Sequence, residues 1–176
     1  DSFFFEKKIN MKIFEKKINF NVSKNQDFIE YSELGFDYLR NISKIIKENS
    51  GGLLLIDYGY TNKKMRDTIQ SVSKHKFTNI LKNIGDSDIT YHINFHLFKE
   101  ITKQIGGLKS NLTSQREFLI KMGIFQRAEI ISKKESFLRK TDIYYRLKRL
   151  VDKNQMGELF KVMFITNKRN KFKLGF

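Results

Sequence analysis

Cysteine and proline are both absent from the 176 residues. Without cysteine the chain forms no disulfide and offers no thiolate to a metal, which suits a reducing compartment. Without proline no backbone φ is fixed by a ring, so turns fall to glycine, asparagine and serine. Long apolar runs are missing too. None approaches the ~20 residues of a membrane-spanning helix, and FFF at positions 3–5 is too short for the core of a secretory signal. The sequence also lacks a nucleophile elbow (G-x-S-x-G), a phosphate loop (GxxxxGK[ST]) and a Gly-x-Gly-x-Gly turn after a strand.

What is present suffices for one domain with a core: 40% of residues are hydrophobic and 17 are Phe, which separates the chain from disordered sequences. The net charge of +15 raises the question of nucleic acid. Against it, the cations are 26 Lys and only 8 Arg, whereas base and phosphate forks favour arginine. The lysines also spread along the whole chain among many Asn and Ile, the pattern of an AT-rich genome. A solvated basic surface is the better reading, and a basic nucleic-acid-binding domain is the alternative it leaves.

The pentapeptide EKKIN occurs at 6–10 and again at 15–19. Alternating apolar and polar residues around both copies predict two strands of a β-hairpin over 7–22, within an amino-terminal segment 1–30. From Ser32 the period becomes helical, with Ser32 as N-cap and Gly51-Gly52 as the stop. GGLLLIDYGY follows at 51–60. Four large apolar residues in a row predict a strand buried on both faces, with Asp57 where it leaves the sheet. Ligands of open α/β sheets bind outside the carboxyl ends of such strands, so Asp57 is a candidate site residue. A capping or pairing role for it stays open, as do packing roles for Tyr58 and Tyr60 and a turn at Gly59.

The polar stretch 61–88 is expected to be a functional loop or a short helix with a lid. Asn94 then caps a helix ending at Gly106-Gly107, and a short strand spans 108–112. SQRE at 114–117 has the form of a capping box. Further helices are expected over 114–122, 124–133 and 137–151, and a last strand over 159–165. Of the histidines, His92 and His96 stand four apart but straddle the helix start, with no carboxylate at metal-ligand spacing. His92 near Asp88 reads as a polar contact in a pocket wall.

Taken in order, several phrases carry a resemblance: GGLLLIDYGY, DTIQ at 67–70, His75, GDSDITYHINF at 85–95, SQREFL at 114–119, GIFQR at 123–127, MGELFKV at 156–162 and a terminal GF. Their order and spacing resemble the carboxyl-terminal half of the MidA-like methyltransferases, the family that includes the mitochondrial complex I assembly factor. The match runs over nearly the whole chain. Family prolines before Gly85 and before the last glycine are replaced by Ile84 and Leu174.

The resemblance implies an α/β fold: the carboxyl-terminal part of a Rossmann-like seven-stranded methyltransferase sheet, preceded by the β-hairpin. Residues 53–57 would be its fifth strand, 159–165 its last and antiparallel strand, and 108–112 its remaining edge. Residues 31–176 would form this half domain, with a helical insertion at about 114–151. It further implies S-adenosyl-L-methionine as cofactor, and methyl transfer to a protein, with an arginine of a respiratory complex I subunit as the family's acceptor type. The family's cofactor loop and acidic ribose contact have no counterpart in the sequence, so no residue of this chain is expected to bind the cofactor. The chain is therefore expected to begin more than halfway into the domain, to need the missing amino-terminal half, and to be inactive alone. The substrate-side candidates are Asp57, Tyr58, Gly59, Asp88, Thr90 and His92, with Asp57 and Asp88 as guanidinium or loop-ordering carboxylates. Gln115, Arg127 and Gly157 are expected to be structural. A non-catalytic assembly module derived from the same fold is the alternative, and the bacterial cytoplasm or the mitochondrial matrix is the expected compartment.

Overall fold

The architecture comes from a computed structural model that describes residues 7–82 and 84–176. The first element corrects the sequence reading. Where a hairpin is expected, Met11–Ile18 form a helix, α1. Asn10 caps it, its side chain accepting from the backbone N–H of Lys12 and Ile13, and Asn19 closes it in the left-handed conformation (φ 52°). Met11, Phe14 and Ile18 stand at helical spacing on one face and pack into the core. Phe14 meets the ring of Tyr31 edge-on at 5.5 Å, and Tyr31 stacks on Phe36 at 4.5 Å. Capping asparagines and this tertiary contact override the short period-2 pattern.

Glu33–Asn49 form α2, capped by Ser32 as expected. Strand β1 then runs over Gly52–Tyr60. Among its described residues the stretch after it has strands where a loop or a short helix is expected. It contains β2 (Gln70–Ser73), β3 (Lys76–Thr78) and β4 (Asp88–Thr90), which make a separate antiparallel sheet in the order β3-β2-β4. The β2–β3 turn places Lys74 and His75 at positive φ (50° and 62°), the double left-handed geometry of a two-residue hairpin loop. Next come β5 (Ile93–Asn94), α3 (Phe95–Ile105), β6 (Leu108–Ser114), α4 (Gln115–Lys121), α5 (Ile124–Ser132) and α6 (Phe137–Val151). A four-residue helix α7 (Met156–Leu159) leads into β7 (Phe160–Asn167).

The main sheet has the order β5-β1-β7-β6. β5 is parallel to β1, while β7 is antiparallel to both β1 and β6. This is the mixed α/β arrangement implied by the resemblance: the last strand enters antiparallel between β1 and the edge strand β6. Leu53, Leu55, Met163, Ile165, Leu108 and Leu112 pack from the sheet against α2 and α3, where Phe36, Leu39, Ile46, Phe95 and Ile101 are buried. A second small core joins α5 to α6 through Ala128, Leu147 and Val151.

β1 is not buried on both faces. Leu54, Ile56 and Tyr58, on the face away from α2 and α3, are 46%, 46% and 40% exposed. Its edge is also open, because β5 pairs with β1 only at Gly59 and Tyr60. Among the described residues, 52–58 have no strand on that side.

Gly59 is the residue that lets β5 approach. A Cβ there would lie 2.5 Å from the Ile93 carbonyl oxygen and 2.5 Å from the Phe95 ring. Gly59→Ala is expected to cost about 1–3 kcal/mol by overpacking, read as a lower urea midpoint with an unchanged m-value.

Candidate functional site

The site lies at the carboxyl end of β1, where the strand delivers Tyr58, Gly59 and Tyr60 in succession. Tyr58 packs tilted on Phe160 of β7 at 4.2 Å and nearly parallel to the His92 ring at 6.1 Å and 12°. Tyr58, Phe160 and His92 thus form one aromatic wall, with Gly59 buried beside Tyr58. His92 is fixed by its backbone, which donates to Thr68 Oγ1 at 2.9 Å. Thr68 Oγ1 in turn donates to Glu30 Oε2 at 2.5 Å, and the Thr68 N–H donates to Glu30 Oε1 at 3.3 Å. Glu30 and Thr68 are therefore positioning residues that the motif reading did not single out. The DTIQ phrase contains Thr68, but nothing in sequence spacing links it to Glu30, 38 residues earlier.

A second tie joins the same two segments. Met65 N donates to Gln26 Oε1 at 2.7 Å, Gln26 Nε2 donates to the Lys63 carbonyl at 3.0 Å, and Lys64 pairs with Asp27 at 2.5 Å. The loop leaving β1 is thus fastened to the stretch after α1 by five polar side chains, Gln26, Asp27, Glu30, Lys64 and Thr68.

The other candidates disperse. Asp57 does not stand where the strand ends, since β1 continues three residues further, to Tyr60. The carboxylate accepts from the N–H of Tyr58 at 2.8 Å and is exposed. Across the ladder it faces Lys161, which is pointed elsewhere: its ammonium donates to the Glu158 carbonyl. Burial pushes the Lys161 ammonium below its ordinary value, with the Glu158 charge opposing. Asp88 and Thr90 belong to the small sheet. Thr90 Oγ1 accepts from Gln70 Nε2 at 3.0 Å, and Asp88 is exposed opposite Val72. His92 contacts Tyr58 and Thr68, with no hydrogen bond to Asp88. Gln115 donates to the Leu150 carbonyl at 3.0 Å, and Gly157 is held within backbone distance of Val151 and Asp152, where a Cβ would meet oxygen at 2.6 Å.

Behind the wall, Tyr60 is buried with the Arg66 guanidinium 4.5 Å above its ring. Its hydroxyl and the Asn94 Nδ2 are buried and without a hydrogen-bond partner. Burial raises the Tyr60 hydroxyl above its ordinary value. The Arg66 backbone and charge and the nearby Asn94 amide pull it down, and Glu30 pushes it up.

Residues 6–113 match the model of a family described as "Putative S-adenosyl-L-methionine-dependent methyltransferase". A curated relative, "Protein arginine methyltransferase NDUFAF7, mitochondrial" of Xenopus tropicalis, is 26% identical over 137 residues, which span 77% of this chain and 31% of that protein. Two crystal structures from Burkholderia thailandensis share the fold. One, bound to S-adenosyl-homocysteine, is 22% identical with a TM-score of 0.70 and matches 88% of this chain and 42% of its own. The other, a native form, is 21% identical with a TM-score of 0.71 and matches 86% and 42%. The chain thus spans about a third of the curated relative, 31%, and 42% of each crystallised chain.

Tyr60→Phe is expected to hold or raise stability, because it removes a buried hydroxyl that has no partner and keeps the ring under Arg66. The sign of the pH effect follows from a raised pKa in the folded state. Tyr60 favours the fold while protonated, so its contribution is complete below its unfolded value near 10 and is lost as pH rises through the folded value. Denaturant titrations between pH 8 and pH 11 should show a smaller alkaline loss in Tyr60→Phe than in the parent.

Proposed function

Because the chain belongs to this family of S-adenosyl-L-methionine-dependent methyltransferases, we propose that it forms the acceptor side of a protein arginine methyltransferase. The observation that carries the reading is the β5-β1-β7-β6 sheet with its aromatic wall at the carboxyl end of β1, in a chain matched by the family over residues 6–113. The family resemblance extends the proposal to a respiratory complex I subunit as the acceptor.

S-adenosyl-L-methionine, when bound, supplies a methyl group on a sulfonium. On our reading its cradle is not among the described residues. Gly51-Gly52 stands before β1, and the two direct strand-to-helix junctions, β5 to α3 and β6 to α4, carry Asn94 and Ser114 at their caps. On our reading the cofactor side comes from polypeptide outside these residues, laid along the open edge of β1 and over Leu54 and Ile56. Two observations support this: the strandless edge at 52–58, and the 42% share of the crystallised chains that is matched.

This chain's own contribution is then orientation. The Tyr58–His92–Phe160 cluster offers aromatic surface to a guanidinium. Asp57 and Asp88, on different sheets, each offer an exposed carboxylate that would hold the acceptor or its loop and could take the proton the attacking nitrogen must lose. Glu30 and Thr68 hold His92 at its place in the wall.

Calorimetric titration of S-adenosyl-L-methionine into the 176-residue chain is expected to give no micromolar binding. Joining the chain to the unmatched portion of a Burkholderia relative is expected to restore micromolar binding and transfer of labelled methyl to arginine in a protein acceptor. Micromolar binding by the chain alone would overturn the completion reading. A chimera that binds the cofactor but never methylates protein would leave the non-catalytic module instead.

A further inference from the structure

Two adjoining cavities run from the carboxyl end of β1 along α1 and α3. The first, about 440 Å³, lies between the loop after β1 and the start of α3, and the second, about 660 Å³, continues between α1 and α3. They share Phe20, Asn21 and Glu100, so together they form one trough. Its walls carry Lys24, Lys63 and Lys64 at the β1 end and Lys16 and Lys103 further along.

The acids nearby are largely engaged. Glu15 accepts from the Ser23 N–H at 2.7 Å, a hydrogen bond that holds its carboxyl below the usual range. Asp27 is paired with Lys64. Glu100 stands on the floor. Among the described residues Lys16, Lys24, Lys63 and Lys103 have no carboxylate within ion-pair distance. We infer that this trough binds an extended acidic segment of the acceptor protein, its Asp and Glu side chains meeting the lysines.

The chemistry favours spaced carboxylates over a nucleic-acid backbone. All five cations are lysines, which act as point charges and lack the bidentate fork that grips phosphate. Among the described residues Phe20 and His96 are the aromatic rings that line the trough, too few to give bases a run of stacking platforms. Glu100 on the floor repels a continuous phosphate chain but leaves room between separated carboxylates. The inference rests on the acceptor-side reading for the identity of the partner, but its test uses binding alone, with neither cofactor nor methyl transfer.

The test measures fluorescence anisotropy of the chain with three probes: a labelled dodecapeptide alternating Glu and Ala, its Gln-for-Glu counterpart, and a single-stranded oligonucleotide of equal length. Two double variants carry the same change of net charge, Lys24→Glu/Lys63→Glu in the trough and Lys133→Glu/Lys134→Glu at the exposed turn between α5 and α6, with circular dichroism confirming that each stays folded. The acidic peptide is expected to bind at least tenfold more tightly than the Gln peptide. The trough pair should lower its affinity about tenfold and the turn pair less than twofold. Equal losses from both pairs would reduce the effect to net charge and overturn the inference. So would tighter binding of the oligonucleotide, or no preference for Glu over Gln.

Discussion

The antiparallel ladder between β1 and β7 is the constraint on which the rest depends. It runs from Gly52 opposite Thr166 to Tyr58 opposite Phe160, joining segments more than 100 residues apart. Because strand side chains alternate, this register alone decides which residues become core. Leu53 and Leu55 with Met163 and Ile165 turn toward α2 and α3, while Leu54, Ile56 and Tyr58 turn the other way. A slip of one residue would exchange the two sets. Closing so long a loop costs little more than closing one half as long, about 0.6 kcal/mol per doubling, whereas each large apolar side chain fully buried returns about 1.5–3 kcal/mol. Burial at Met163, Ile165, Phe95 and Ile101 therefore holds the register.

The same ladder builds the wall of the site. Tyr58 meets Phe160 because the register ends there, and β5 adds itself only where Gly59 leaves room for the Ile93 carbonyl and the Phe95 ring. Once β5 is seated, His92 is two residues from the paired Asn94 and lands beside Tyr58. The Glu30–Thr68 hydrogen bonds then lock the loop between β1 and β5 to the stretch after α1. Fold and site share one cause, which is why the glycine of IDYG and its tyrosine are both needed within two positions.

Elements with a local signature were legible in the sequence, and elements made by distant partners were not. Ser32, Asn94 and Ser114 each cap the helix assigned to them, because a capping side chain acts within three residues. The box at 114–117 is only half reciprocal: Ser114 accepts from Glu117 N, but the Glu117 carboxylate takes the Thr113 hydroxyl at 2.9 Å. Seven residues of EKKIN-flanked alternation could not separate a strand from a one-sided helix, and the decision for α1 came from Asn10, Asn19 and the rings of Tyr31 and Phe36. The small sheet was hidden because its longest strand, β2, has four residues, too few for a period. Asp57 was misplaced since an apolar run shows where a strand starts to be buried, not where its backbone stops pairing. Of the six candidate residues, Tyr58, Gly59 and His92 converge, while Asp57, Asp88 and Thr90 depend for any common role on what approaches the wall.

A net charge of +15 looks ill matched to the arginine acceptor we propose, and the resolution lies in distance. At physiological ionic strength the field of an exposed lysine falls off over about 8 Å, so most of the lysines on this chain do not act at the wall. At that site the rings of Tyr58, Phe160 and His92 dominate, Asp57 stands opposite Lys161 on the ladder, and the Arg66 charge is turned onto the Tyr60 ring. In the trough proposal the lysines that meet a bound protein include those at its β1 end, where Lys63 and Lys64 lie in the loop after the strand. A partner that is acidic along its approach and presents one cation at the end satisfies both regions. The division of charge follows from the chain's path: β1 ends in a polar loop that turns back toward α1, carrying its cations away from the ring faces and into the trough.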